Sequence, residues 1–318
     1  MADIAAIHRM AERIRENVGR VIVGKEAAVE LCLVALLCEG HVLIEDVPGI
    51  GKTMLAKALA RSLGCTFKRI QCTPDLLPSD VTGVSFFSQK TGEFEFRPGP
   101  VFAQVLLVDE INRATPRTQS SLLECMEERQ ATVDGVTRPL VRPFVVMATQ
   151  NPVELEGTFP LPEAQLDRFM LRVRMGYPEE AEERAILRRF RVDDPLATLE
   201  PVAGPEELAA MQRACREVLV GEAAEGYAVA VSRATRGHAD IELGLSPRGT
   251  LALYRGAQAL AALRGRDYVK PDDVKYLAPA VIAHRLMLNV ESGLRGRVAD
   301  ELVAEVVAAV PVPVEEGA

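Results

Sequence analysis

The sequence predicts an α/β fold in which helices cover both faces of a parallel sheet, followed by a smaller all-α domain. Three observations carry this. Apolar strand segments alternate with helical ones up to about residue 175, the pattern of strand–helix–strand units. The segment Asp46-Val47-Pro48-Gly49-Ile50-Gly51-Lys52-Thr53 joins an apolar run, His41-Val42-Leu43-Ile44, to the helix-period stretch Met54-Leu55-Ala56-Lys57-Ala58-Leu59. From Pro178 onward strand signals nearly vanish and Ala- and Leu-rich helical periodicity takes over, as in residues 205–219, 246–264 and 270–286.

The glycine-containing segment has the chemistry of a phosphate-binding loop. Gly49 and Gly51 let the backbone turn its N–H groups inward, with Ile50 between them, and Lys52 supplies a point charge for the outer phosphates. The Thr53 hydroxyl can ligate Mg²⁺, and the helix that runs on through Met54 adds its positive N-terminal end. A bound nucleoside triphosphate is the expectation. One letter departs from G-x-x-x-x-G-K-[ST]: Asp46 stands at the first glycine, and its carboxylate would repel phosphate unless it points away. A glycine at this position is expected to be tolerated.

Val105-Leu106-Leu107-Val108-Asp109-Glu110 reads as an apolar strand buried on both faces and ending in two carboxylates. Asp109 is assigned to the metal and Glu110 to the general base. An N-cap pair before the next helix is the structural alternative for Asp109. A further apolar strand, Phe144-Val145-Val146-Met147-Ala148-Thr149, ends in Gln150-Asn151-Pro152. Asn151 could orient water against the terminal phosphate, or simply start an Asn-Pro turn. Arg168, in Leu166-Asp167-Arg168-Phe169, has a local reading as the partner of Asp167 or Glu163.

Together with Val23-Gly24-Lys25, Gln71-Cys72-Thr73-Pro74-Asp75-Leu76-Leu77-Pro78-Ser79-Asp80, Asp109-Glu110-Ile111-Asn112-Arg113-Ala114 and Ser246-Pro247-Arg248, these motifs resemble the MoxR family of AAA+ ATPases. The similarity runs from about residue 15 to about residue 290. It implies a P-loop AAA+ domain followed by a helical lid, with ATP and Mg²⁺ as cofactors. The loss of strand signals near Gly176-Tyr177-Pro178 places these at residues 1–176 and 177–310, and the Pro- and Glu-rich ending at 311–318 reads as a flexible tail. By the same resemblance Asn151 is the sensor 1 residue, Arg168 an arginine finger reaching a neighbouring subunit's nucleotide, and Arg248 the sensor 2 residue of the lid. Val23 and Gly24 would pack against adenine. The family further implies a homo-oligomeric, hexameric ring, a client protein that it matures, and a partner carrying a von Willebrand A domain.

Composition narrows the alternatives. The 318 residues, 48% hydrophobic and 26% charged, suit a globular protein with a sizeable core. The longest apolar run, residues 31–38, is far too short to span a bilayer, and the N-terminus lacks an apolar signal core. The expected location is the cytoplasm, without membrane insertion. Six cysteines show no C-x-x-C spacing and four histidines are scattered, so neither disulfides nor zinc are implied. A nucleic-acid motor is one rival reading, but a net charge of −8, no tryptophan and no extended basic stretch argue against it. Arg184, Arg188, Arg189 and Arg191 follow Glu179, Glu180, Glu182 and Glu183, which reads as a solvated helix face. The other rival, a nucleotide-gated scaffold without turnover, is disfavoured because Glu110 is present.

Two hairpins interrupt the first domain. One spans Val84 to Arg97, with Phe86, Phe87, Phe94 and Phe96 around Thr91-Gly92; the other spans Arg129 to Val141 and turns at Asp134-Gly135. The resemblance implies that the second projects towards the pore of a ring, sheet-edge decoration being the alternative for both.

Overall fold

The computed structural model describes residues 4–152 and 157–313. Helices α1 (Ile4–Gly19) and α2 (Glu26–Leu37) precede strand β1 (Val42–Glu45), which leads through the glycine-containing loop into α3 (Lys52–Ser62). Next come β2 (Phe67–Gln71), the short α4 (Pro78–Thr82), the hairpin β3 (Gly83–Ser88) and β4 (Glu93–Pro98), then β5 (Val105–Asp109) and α5 (Pro116–Glu128). A second hairpin, β6 (Gln130–Val133) and β7 (Val136–Pro139), is followed by β8 (Val145–Gln150), α6 (Glu163–Leu166) and β9 (Leu171–Val173). The remainder comprises α7 (Glu180–Arg189), α8 (Pro205–Cys215), α9 (Glu222–Arg236), β10 (Ile241–Leu243), α10 (Pro247–Leu263), α11 (Pro271–Ile282), β11 (Met287–Leu288), α12 (Val290–Leu294) and α13 (Ala299–Ala309). From residue 314 the expected tail lies outside the described residues.

The central sheet has the order β2-β5-β8-β1-β9 and all its pairings are parallel. Its apolar strands are sandwiched as the alternation of side chains requires. Val105 and Leu107 of β5 join one hydrophobic cluster with α1, α2 and α3, while Leu106 and Val108 join a second with Leu122, Leu123 and Met126 of α5. Both predicted hairpins form, with Phe87 opposite Phe94 in the first and Val133 opposite Val136 in the second. Asp134 takes a left-handed φ of 52° in that turn, a conformation Asp tolerates better than most residues.

The helical part begins its elements as their sequences dictate. Ser246 caps α10 by accepting from Gly249 N at 3.1 Å, with Pro247 at the first helical position. Asp273, buried in the first turn of α11, accepts from Lys270 N at 2.9 Å and from the Arg266 guanidinium at 2.6 and 2.9 Å, which satisfies its charge. A short antiparallel pair, β10 with β11, was not anticipated in this region; three and two residues are too few to give a periodic signal. The i,i+4 pair Arg184–Glu180 in α7 is present at 2.6 Å. Among the described residues no helix is long and apolar enough to cross a membrane.

The hydrophobic cluster on the α1–α3 side of the sheet continues into α8, α9, α10, α11 and α13. Thus α1 and α2, which the sequence groups with the sheet, also pack against the lid helices. Polar contacts reinforce this: the His8 ring meets Leu263 O at 2.7 Å, and Gln212 donates to Leu36 O at 2.7 Å.

Two buried histidines make stability depend on pH. Val146 N donates to His41 Nδ1 at 3.0 Å, so Nε2 carries the proton and faces Met126 O at 3.1 Å. Burial, helped by Arg129, pushes the His41 pKa down to about 3, and burial with Arg285 holds His284 well below its usual value. The unfolded chain binds these protons near pH 6.5 and the folded chain does not, so stability is full above that value and falls as pH drops. Unfolding free energy is expected to decrease by about 2–3 kcal/mol between pH 7.5 and 5.5, read by denaturant titration. A flat profile across that window would contradict the neutral assignment.

Candidate nucleotide-binding site

Three neighbouring strands deliver the candidate groups to the carboxyl end of the sheet. In the parallel register Glu45 lies beside Gln150 and Gln71 beside Asp109, so β1, β5 and β8 end close together. The loop after β1 takes positive φ at Gly49 and Gly51, 84° and 92°, which residues with a Cβ adopt at a cost. Gly51 is the N-cap of α3, so the unpaired N–H groups of the first turn open onto the loop. A cleft of about 190 Å³ results, lined by Pro48, Gly49, Gly51, Lys52, Thr53, Met54, Asp109, Glu110 and Asn151. The sequence-predicted loop, both carboxylates and Asn151 therefore meet in one place, Asn151 being buried there.

Lys52 Nζ donates to the backbone carbonyl of Asp46 at 2.6 Å. Partial burial pulls the Lys52 pKa below its usual value, against the opposing effect of Asp46, Asp109 and Glu110. The Asp46 carboxylate itself points away from the cleft. Its Oδ1 accepts from Val47 N at 2.9 Å, and its Oδ2 accepts from Met175 N and Gly176 N, each at 2.7 Å. The departure from the glycine motif thus does not place a charge against phosphate. It also has a structural role that the sequence did not disclose, as acceptor for the Met175 and Gly176 amides.

The Asp109 carboxylate and the Glu110 backbone are held together by a residue the sequence did not single out. Thr149 Oγ1, fully buried at the end of β8, donates to Asp109 Oδ1 at 2.6 Å and accepts from Glu110 N at 2.8 Å. A hydroxyl inside an otherwise apolar strand was the available signal, since buried polar groups need partners. Asp109 Oδ2 also accepts from Arg69 at 2.6 Å. Glu110 sits in left-handed backbone conformation, φ 57° and ψ 52°, at the start of a short 3₁₀ turn, and its Oε2 meets Arg113 at 2.8 Å and Gln71 at 3.2 Å. Strained backbone of this kind is held by its surroundings and clusters at working sites.

Arg168 and Arg248 stand elsewhere. Both pair with Glu127 at the end of α5, at 3.2 and 2.6 Å, and Arg248 Nε also approaches Asp167 to 4.0 Å. They line a second cavity of about 320 Å³ that shares no lining residue with the loop cleft. The local partner expected for Arg168, Asp167 or Glu163, is replaced by Glu127, while Asp167 binds Arg285 at 2.7 Å and Ser246 at 3.1 Å.

Val23, Gly24 and Ile50 do not line the cleft. The side chain of Ile50 packs against the hydrophobic cluster, and Gly24 faces α7, where an added Cβ would sit 1.7 Å from Glu182 Oε1. Among the described residues no group of three or more His, Cys, Asp or Glu side chains could hold a metal alone. A hydroxyl and a carboxylate facing a phosphate loop fit Mg²⁺, which keeps most of its shell as water and phosphate oxygen.

The class follows from comparison as well as from geometry. The pattern of the ATPase family associated with various cellular activities (AAA) matches residues 41–171, and that of the AAA lid domain matches residues 233–306. A crystal structure of a protein from Cytophaga hutchinsonii superposes with a TM-score of 0.91 at 35% identity, over 98% of this chain and 97% of that one. Uncharacterized protein YeaC of Bacillus subtilis is 53% identical over 100% of this chain and 99% of its own length. Chaperone MoxR1 of Mycobacterium tuberculosis is 44% identical over 95% of this chain and 81% of its own. The chain belongs to the MoxR family of AAA+ ATPases.

Replacing Thr149 by Val keeps the volume but removes the bridge. Nucleotide binding is expected to persist while turnover falls about tenfold to a hundredfold, because misplaced catalytic groups cost that much. The unpaired Glu110 N–H should also cost about 1–3 kcal/mol of stability. Steady-state kinetics beside a thermal melt checks both; parental turnover would show that the carboxylates hold themselves.

Proposed function

We propose that this chain hydrolyses ATP within a ring of its own copies and uses the cycle to remodel a client protein. One observation carries the reading: the loop, carboxylates and Asn151 share one cleft, while Arg168 and Arg248 lie together outside it. One chain thus holds an incomplete ATPase site and the arginines that would complete a neighbour's.

Lys52 leaves the Asp46 carbonyl and directs its ammonium at the outer phosphates, while the α3 amides face the same charge. Mg²⁺, held by Thr53 and Asp109, would neutralise charge building on the phosphates. Glu110, released from Gln71 and Arg113, takes the proton of the attacking water, and Asn151 orients that water. Arg168 acts in trans on the transferring phosphoryl group, and Arg248, which shares its Glu127 anchor, faces the same neighbour. Half-exposed ion pairs of this kind contribute up to about 1 kcal/mol, so exchanging Glu127 for a phosphate is inexpensive. Remodelling as the output is supported by MoxR1 of Mycobacterium tuberculosis, which is named a chaperone. A hexameric ring, a cytoplasmic setting and a partner with a von Willebrand A domain complete the proposal.

Lys52→Ala should lose most ATP affinity in a binding titration, and Glu110→Gln should bind ATP yet turn over at least about a hundredfold more slowly. Arg168→Ala should bind ATP and lose hydrolysis on the order of a thousandfold. Mixing Arg168→Ala with Lys52→Ala should restore some turnover, since mixed rings contain interfaces with one intact loop and one intact arginine. Demonstrably mixed rings as inactive as either variant would remove Arg168 from the neighbour's site.

A further inference from the structure

Asp46 stands between the phosphate loop and the passage from the sheet to the lid. Its backbone carbonyl accepts the Lys52 ammonium, and its side chain accepts the amides of Met175 and Gly176. Those two amides open the segment between β9 and α7, the passage from the sheet to the helical part. Gly176 has φ 65° there, the left-handed region that favours glycine, in a loop at the end of β9. Tyr177 O in the same segment accepts from Lys25 at 3.2 Å, so the passage is gripped from the loop side by Asp46 and from the α1–α2 connection by Lys25. The preceding residue repeats the pattern. Glu45 Oε2 binds Arg172 at 3.0 Å and Arg174 at 2.8 Å, and both arginines reach Asp300 in the first turn of α13.

We infer that Asp46 is a positioning residue that couples occupancy of the phosphate loop to the sheet–lid passage at Met175–Gly176. The inference rests on the loop's holding nucleotide. When Lys52 turns from the Asp46 carbonyl to a phosphate, the backbone at 46 loses its cationic partner while its carboxylate still holds Met175 N and Gly176 N. A movement of the loop is thereby carried to the lid through one residue. A glycine at 46 would bind phosphate as well but would leave those amides unheld, so a carboxylate here serves transmission and not affinity. Two charge-assisted hydrogen bonds from amides to one carboxylate oxygen make the link stiff enough for this.

Hydrogen–deuterium exchange on the full chain, read over residues 174–178, tests the link without relying on turnover. In the parent, the Met175 and Gly176 amides should be protected, and ADP or a non-hydrolysed ATP analogue with Mg²⁺ should slow their exchange at least about threefold. In Asp46→Gly these amides should exchange fast and show no response to nucleotide, although nucleotide affinity stays within about threefold of the parent. Turnover of Asp46→Gly should fall about tenfold with KM little changed, the signature of an effect outside ground-state binding. Asp46→Asn, which keeps one oxygen for both amides, should recover part of the protection and part of kcat, and stands in if the glycine variant does not fold. A nucleotide response in Asp46→Gly equal to the parent's, or a KM effect alone, overturns the coupling. A parent that binds no nucleotide overturns the reading of the loop instead.

Discussion

Three adjacent parallel strands, β1, β5 and β8, end close together, and the rest of the site depends on that alignment. Parallel pairing fixes the level of each strand's carboxyl end through backbone hydrogen bonds, so the loop after β1 and the carboxylates after β5 share a cleft with Asn151 after β8. The cost is that the strands must be buried on both faces, which the apolar runs before Glu45, Asp109 and Gln150 satisfy. Thr149 is the one polar side chain admitted to this layer in β8 before its end, and it braces the Asp109 carboxylate against the Glu110 backbone amide.

What the sequence disclosed and what it withheld divide along a physical line. Local chemistry was legible: positive-φ glycines before Lys52-Thr53, two carboxylates at the end of an apolar strand, and Asp134-Gly135 as a two-residue turn each announce their conformation through neighbouring residues. Tertiary partners were not. Asp46 read as a threat to phosphate because its neighbours gave no hint that Met175 and Gly176, 129 and 130 positions away, would receive its carboxylate. Glu127 was silent for the same reason: only the fold brings it to Arg168 and Arg248. The docking of α1 and α2 on the lid helices is also a matter of shape, since an amphipathic helix shows its apolar face but not what covers it.

The resting arrangement keeps each reactive group occupied. Lys52 rests on a carbonyl, Asp109 on Arg69 and Thr149, Glu110 on Gln71 and Arg113, and the two arginines on Glu127. Several of these partners are partly exposed and give up little on release, whereas Thr149 is buried and stays. The site is therefore braced at Asp109 and the Glu110 backbone and loosely tethered at the side chains that the proposed cycle would release.

If one chain carries an incomplete ATPase site that a second copy completes, as proposed, turnover per chain depends on protein concentration. Measured at saturating ATP and Mg²⁺, with mass followed in parallel by light scattering, turnover per chain should rise with concentration and level off as the assembly forms. Full turnover per chain at concentrations where the protein is monomeric would contradict the proposal.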